Sequence, residues 1–257
     1  MRAMPTLRSA LVPLALLAAC LVPSWAAAGP VTYVEQAREI EATIHEVYEF
    51  PDPAPDVVLD GNDSASAPDF GVFDAQVTAT IASPPAGQEA GFGRISQRST
   101  LGQDGISIAG SWDGRTQTLD GEYTYRTSVD VTFETTDVQA FDLNYRIEMP
   151  NFRPGVVGDV VLTRLDGAGG TVFDVDATVL DPNFDEPTSA GSLTGTLDPG
   201  RYRFQFLHRV LSDEAGPGPY SVDLGLQGAG TAIPLPPALW PALATAGLVA
   251  LRLRRAS

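Results

Sequence analysis

The sequence predicts an all-β chain, an antiparallel two-sheet sandwich, on three observations. Apolar and polar residues alternate at period two in segment after segment, the spacing that puts one face of a strand in a core and the other in water. Asp-Gly pairs at Asp60, Asp104, Asp113, Asp120 and Asp166 punctuate the body, and such pairs favour tight turns because both residues tolerate positive φ. The body between two apolar ends is about 205 residues, a length that one β-sandwich commonly fills. Jelly-roll-like wiring is compatible with this pattern.

Residues 1–28 have the plan of a secretory leader: Arg2 and Arg8, an apolar stretch from Ala10 to Val22, and a cleavage site at Ala26 and Ala28 before Gly29. Leu17-Ala18-Ala19-Cys20 also fits the lipobox of bacterial lipoproteins, with Cys20 as the lipidated first residue, and that alternative stays open. Cys20 is the one cysteine, so cleavage after Ala28 leaves a body, residues 29–231, that needs an ordinary core in place of disulfides. From Tyr33 to Phe50, Val34, Ala37, Ile40, Ile44, Val47 and Tyr48 fall near helical spacing and predict a short helix. Pro51 to Pro55 reads as a stiff connector and Asp60 to Asp69 as a polar loop.

Strands are expected through Phe73, Ala75, Val77, Ala79 and Ile81, and through Tyr123, Tyr125, Val129, Val131 and Phe133. The same alternation marks Phe141 to Ile147, Phe173 to Val179, Tyr202 to Val210, and Tyr220 to Leu226. Ser83 to Gly93 and Ala215 to Pro219 read as Pro/Gly loops. In Leu197-Asp198-Pro199-Gly200-Arg201-Tyr202, Pro199 and Gly200 are expected to make a turn, with positive φ at Gly200 and Tyr202 pointing inward.

The charge is lopsided. All 32 acidic residues but only 11 arginines lie between Gly29 and Ile233, leaving the body at −21, and the chain has no lysine. Such a body repels nucleic acid and anionic membrane, and leaves cations, basic proteins or neutral glycans as partners. Catalytic signatures are missing: there are two histidines, His45 and His208, and no body cysteine for a soft metal site or a thiol nucleophile. Gly110-Ser111-Trp112-Asp113-Gly114 has its serine one position early for a nucleophile elbow. No cofactor is expected. The acidic runs Asp60 to Asp63 and Asp181 to Glu186 offer oxygen ligands that could take calcium weakly, without matching an EF-hand loop.

The C-terminal residues 232–257 carry the strongest functional signal. Ile233, Pro234, Leu235, Pro236 and Pro237 form a proline-rich box that must be extended, since proline lacks the N–H and fixes φ. From Ile233 to Leu251 there is no charge, a span of roughly 28 Å as helix, close to the ~30 Å bilayer core. Arg252, Arg254 and Arg255 follow and would hold the C-terminus on the cytoplasmic side as a membrane stop. Box, apolar span and arginine cluster together resemble a PEP-CTERM sorting signal of the Val-Pro-Leu-Pro-Ala type, with Ile233 in place of valine and Pro237 extra; Pro241 within the span and the Ala256-Ser257 end depart from the pattern. Leu197-Asp198-Pro199-Gly200-Arg201-Tyr202 is similar to a passage common in bodies that precede such tails.

That resemblance covers about a tenth of the chain. It implies recognition by an exosortase-type membrane peptidase, transient residence in the inner membrane of a Gram-negative bacterium, and delivery to the cell surface or medium alongside exopolysaccharide and biofilm. The expected function is therefore a non-enzymatic surface or matrix protein associated with extracellular polysaccharide. Two alternatives remain. A carbohydrate-binding module would offer an exposed aromatic platform, for which Trp112 is the one tryptophan of the body. A glycoside hydrolase would need a facing carboxylate pair, and Asp174 and Asp176 share a strand face.

Overall fold

The computed structural model describes residues 31–48, 57–83, 88–116, 121–148, 155–178, 188–212 and 217–228. These residues form β1 (Thr32–Tyr48), β2 (Val57–Ser66), β3 (Phe73–Ser83), β4 (Gln88–Gly102), β5 (Gly105–Thr116), β6 (Gly121–Thr135), β7 (Gln139–Glu148), β8 (Gly155–Arg164), β9 (Gly170–Asp176), β10 (Thr188–Leu197), β11 (Gly200–Ser212) and β12 (Gly218–Gly228). Two antiparallel six-stranded sheets result, one in the order β2-β1-β6-β11-β8-β9 and the other β10-β7-β12-β5-β4-β3. The two-sheet antiparallel sandwich expected from the alternation is what the chain adopts. Pairs β1-β2, β3-β4, β4-β5 and β8-β9 are local hairpins, and the other connections cross between sheets.

The central strands follow their sequence period. β11 buries Tyr202, Phe204, Phe206, His208 and Val210, β6 buries Tyr123, Tyr125, Val129, Val131 and Phe133, and β12 buries Tyr220, Val222, Leu224 and Leu226. Each apolar side chain among them contributes on the order of 2 kcal/mol of hydrophobic stabilisation, so these faces hold the sheets together. Asp104-Gly105 closes the β4-β5 hairpin, where Gly105 has φ +130° and a Cβ would lie 1.9 Å from the Leu224 carbonyl oxygen. Asp166-Gly167 turns β8 into β9, whereas Asp60 and Asp113 lie inside strands.

Several local expectations are corrected. The segment read as a helix is β1, and its core face carries Arg38, Ile40, Ala42, Ile44 and Glu46. Two charged residues on the buried side broke the alternation, and a bulge between Tyr33 and Glu35 shifts its phase. The stretch from Asp60 to Asp69 is no loop in its first half, because Asp60 to Ser66 belongs to edge strand β2. Ser83 to Gly93 likewise contains the start of β4, and Pro219 lies within β12. Gly200 does not adopt positive φ; it is the room for Asp166 that requires glycine, since a Cβ there would meet its carboxylate at 2.7 Å. Leu197 to Tyr202 carries the chain from β10 in one sheet to β11 in the other, and the Tyr202 hydroxyl donates to the Asp198 carbonyl at 2.7 Å. Pro51 to Pro55, Asp120 and Asp181 to Glu186 lie outside the described residues.

One flank of the sandwich is closed by polar side chains. β2 and β3, edge strands of different sheets, meet where Gly61 approaches Thr80, and the Asp63 carboxylate accepts the Thr78 N–H at 2.9 Å. Arg38, buried, donates to the carbonyls of Ser99 (3.3 Å), Asp69 (2.5 Å) and Gly71 (2.9 Å), to Ser99 Oγ and to Gln36 Oε1. A single guanidinium thus ties the β2-β3 connection to β1 and β4. Burial pulls its pKa down, and Asp69 opposes that shift.

Candidate functional site

The sequence-assigned sorting residues lie outside the described residues: Ile233, Pro234, Leu235, Pro236 and Pro237, the stop residues Arg252, Arg254 and Arg255, and the leader residues Ala26 and Ala28. Among the described residues no helix is long and apolar enough to cross a membrane.

The proposed aromatic platform is not at the surface. Trp112 is 1% exposed and packs on His208 with ring centroids 5.0 Å apart and on Tyr220 at 6.4 Å. The position was legible, because Ile106 and Ile108 share its parity and are buried with it. His208 faces inward as its strand period indicates, and neither ring nitrogen has a hydrogen-bond partner. Burial drives its pKa down to about 3, which leaves a neutral ring unable to reach solvent and unsuited to exchange protons with a substrate.

The acidic candidates divide. Asp60 holds His45 Nδ1 at 2.6 Å, and Asp63 holds the N–H groups of Ser64 and Thr78. These carboxylates serve the fold, and among the described residues no three metal-ligating side chains converge. Asp174 and Asp176 share the outer face of β9 beside Asp159 of β8, whose carboxyl pKa is raised by burial and then by these two like charges. Asp176 is held by the Thr178 hydroxyl and by the Thr178 N–H at 2.9 Å, and these bonds, the hydroxyl's first, lower its own pKa.

A concave site that sequence reasoning missed lies on the outer face of the first sheet. It is a trough of about 300 Å³ lined by Glu39, Ile40 and Glu41 of β1, Ser64, Ala65 and Ser66 of β2, and Arg126 and Ser128 of β6. Strand register builds it: Glu39 sits between Ser66 and Ser128, and Glu41 between Ser64 and Arg126. Directly paired side chains have Cβ atoms about 5 Å apart, and Glu39 and Glu41 are separated by two strand residues, about 7 Å. Short serines flanking longer glutamates and an arginine leave the depression.

Its charges are free. Among the described residues Glu39, Glu41 and Arg126 make no ion pair or side-chain hydrogen bond, although Glu41 and Arg126 are register neighbours. Further along the same face several charges are paired. Arg203 Nε donates to Asp130 Oδ1 at 2.8 Å, Arg201 meets Glu35 at 3.2 Å and Glu134 at 3.9 Å, and Gln205 donates to Asp130 at 3.2 Å. The trough therefore presents two carboxylate acceptors, one planar donor fork and three hydroxyls to solvent. That set matches the alternating donors and acceptors of a neutral polyol. The signal that could have found it, Glu39-x-Glu41 on one face, exists only if the segment is a strand, and the helix expectation hid it.

No family model matches the chain, and no curated protein does. Solved structures are similar at low identity. The enzymatically active domain of bacteriophage CBA120 tailspike protein 4 is 14% identical over 61% of this chain and 19% of its own, with a TM-score of 0.24; the chain thus spans about a fifth of that domain. TmCBM61, solved in complex with β-1,4-galactotriose, is 13% identical over 52% of this chain and 86% of its own, with a TM-score of 0.25. A structure from a study of carbohydrate-binding modules of the β-sandwich superfamily is 10% identical over 76% and 98%, with a TM-score of 0.23. Likeness at this level assigns neither family nor activity.

Proposed function

We propose that this chain is an exported, non-catalytic surface or matrix protein that associates with neutral extracellular polysaccharide through the β2-β1-β6 trough. The observation that carries the reading is that Glu39, Glu41 and Arg126 stand unpaired around one depression, whereas Glu35, Asp130, Arg201 and Arg203 on the same face engage one another. Carboxylates accept from sugar hydroxyls and the guanidinium donates to them, while a body at −21 turns away anionic polymers. With Trp112 buried, no tryptophan of the body stacks on a sugar ring, and the single-site affinity is weak, with Kd on the order of a millimolar.

The test is affinity electrophoresis of the protein through gels cast with neutral polysaccharides, comparing wild type with the double variant Glu39→Gln/Glu41→Gln and with Arg126→Ala. Each variant is expected to lose retardation by at least tenfold, about 1.4 kcal/mol. All three side chains are exposed, so their fold should be intact. Equal retardation of wild type and variants would remove the trough from the account.

Delivery rests on the sequence of the two ends. The leader would be cut after Ala28, and an exosortase-type peptidase would act at Pro234 to Pro237 once the apolar span and arginines halt in the inner membrane. Intact mass of the protein recovered outside the cell is expected to lack Ala238 to Ser257, and changing Arg252, Arg254 and Arg255 to alanine should block that loss. A secreted form that retains those residues in a host with an exosortase refutes the sorting reading.

A further inference from the structure

We infer that β10 is a self-association edge, through which two copies of this chain pair antiparallel to make one continuous sheet. This edge lies on the other sheet from the trough and shares no residue with it. The two sheets have four edges, and they are not treated alike. β2 and β3 cover each other and are fastened by Asp63. β9 ends with Asp174 and Asp176 exposed along its outer face. β10 pairs with β7 alone among the described residues, and its ten residues, Thr-Ser-Ala-Gly-Ser-Leu-Thr-Gly-Thr-Leu, contain no charge, no proline and no bulge. Natural proteins block solvent-exposed edges with those very devices, so an edge lacking all of them is open to another strand.

The occupant is specified by charge and by geometry. Two bodies at −21 repel wherever acids meet, and β10 is an edge along which no acid is carried. In a sheet continued by a two-fold axis, residues of the core-facing set oppose one another, here Gly191, Leu193, Gly195 and Leu197. With Leu193 on the axis, it meets its own copy, Ser192 meets Thr194, Gly191 meets Gly195, and Ala190 meets Thr196. This register uses nearly the whole strand. It also covers Leu193, which stands 40% exposed at the middle of β10, where the opposite sheet does not reach. Gly191 and Gly195 flank it because the rings of Tyr145 and Phe141 extend over them; a Cβ would come within 2.7 and 2.5 Å of those rings. The rings and Leu193 together form an apolar ridge along the edge. Such pairing is isologous and closes at two copies. One strand pair is a small interface, so the dimer is weak, with Kd on the order of 10 µM.

Sedimentation velocity of the full-length protein from about 1 to 200 µM tests this, with Leu193→Lys to place like charges on the axis. Wild type is expected to pass from monomer to dimer across that range, and Leu193→Lys to shift the midpoint upward by at least tenfold while its far-UV spectrum and thermal transition are unchanged. Opposed strand residues have Cα atoms about 5 Å apart, within disulfide reach, so Leu193→Cys should cross-link to a dimer on oxidation. Leu165→Cys, at an exposed position just past the end of β8 and carrying the same Cys20, should not. A wild type that stays monomeric to 200 µM, a dimer indifferent to Leu193→Lys, or cross-linking no better at 193 than at 165 each overturns the proposal.

Discussion

Acidification should unfold this protein through one residue, His208. The imidazole is fully buried between Trp112, Tyr220 and Phe206, with ring centroids at 5.0, 4.7 and 6.2 Å, and neither nitrogen is hydrogen-bonded. The residues paired with it across the sheet are Thr127 of β6 and Gly158 of β8. Among these neighbours the one titratable group is Tyr220, whose hydroxyl burial holds in the neutral form and which is bonded to Thr127 Oγ1 at 2.8 Å. Among the described residues no carboxylate enters the shift, whose cause is burial. The folded pKa is about 3 against an ordinary value of 6.5. A depressed histidine contributes its full stability above pH 6.5 and loses it as pH falls toward 3, because only the unfolded chain takes up the proton. Linkage puts the loss at about 2 kcal/mol by pH 5 and about 4 kcal/mol by pH 3, a large part of the 5–15 kcal/mol that typically separates folded from unfolded. Urea unfolding of wild type and His208→Leu between pH 7.5 and 4 isolates this effect, since the carboxylates and His45, exposed and paired with Asp60, are common to both. The stability difference should move by about 2 kcal/mol in favour of His208→Leu between pH 7.5 and 5. Parallel stability–pH curves would show that the folded ring finds a proton after all, and would refute the reasoning.

Other perturbations follow from contacts of the same kind. Arg38→Met keeps the packing of the stem but strands the carbonyls of Ser99, Asp69 and Gly71, and should cost about 3–5 kcal/mol by urea unfolding. Gly218→Ala places a methyl 2.0 Å from Trp112 Cζ2, a fully buried atom with nowhere to go, and should cost about 3 kcal/mol, read as a melting temperature lower by roughly 6–12 °C. Binding of a neutral polysaccharide at the trough should change less than twofold between 20 and 300 mM salt, checked by the same electrophoresis, because no counterions are released. A steep decline would instead point to an anionic polymer held by Arg126 and Arg209, which are register neighbours.

Legibility in the sequence tracked how far each strand is one-sided. β6, β11 and β12 lie inside their sheets with an apolar core face and a polar outer face, and their alternation reads directly. β1 is equally regular in space but concealed in sequence, because Arg38 and Glu46 occupy core-facing positions and the bulge at Val34 reverses the phase of Tyr33. β2 and β10 are edges, where the core face is partly solvated and selection for apolar residues is relaxed. Aspartates, serines and glycines there look like loop. The trough shared this fate twice over. It needs β1 to be a strand, and it needs Arg126 brought beside Glu41 by a pairing that no local pattern specifies.

The arginines show how an acidic sandwich without lysine distributes its cations. Arg38 is consumed by carbonyls, Arg164 by Asp166 and the Pro199 carbonyl at the β10-β11 corner, and Arg201 and Arg203 by the acids of β1 and β6. In each case the planar fork engages two or more acceptors, work that a lysine ammonium does less specifically. Not every arginine is so consumed: among the described residues Arg126 and its register neighbour Arg209 engage no acid, and Arg126 stands beside the unpaired Glu41. An exposed pair there would contribute less than about 1 kcal/mol, so leaving it open costs the fold almost nothing. The free arginine is therefore no sign of strain in the sandwich. It matters because the cost of keeping donors and acceptors available is so low, and a ligand that satisfies both at once meets no intramolecular competitor. On this face the trough is the place where that condition holds for three charged side chains together.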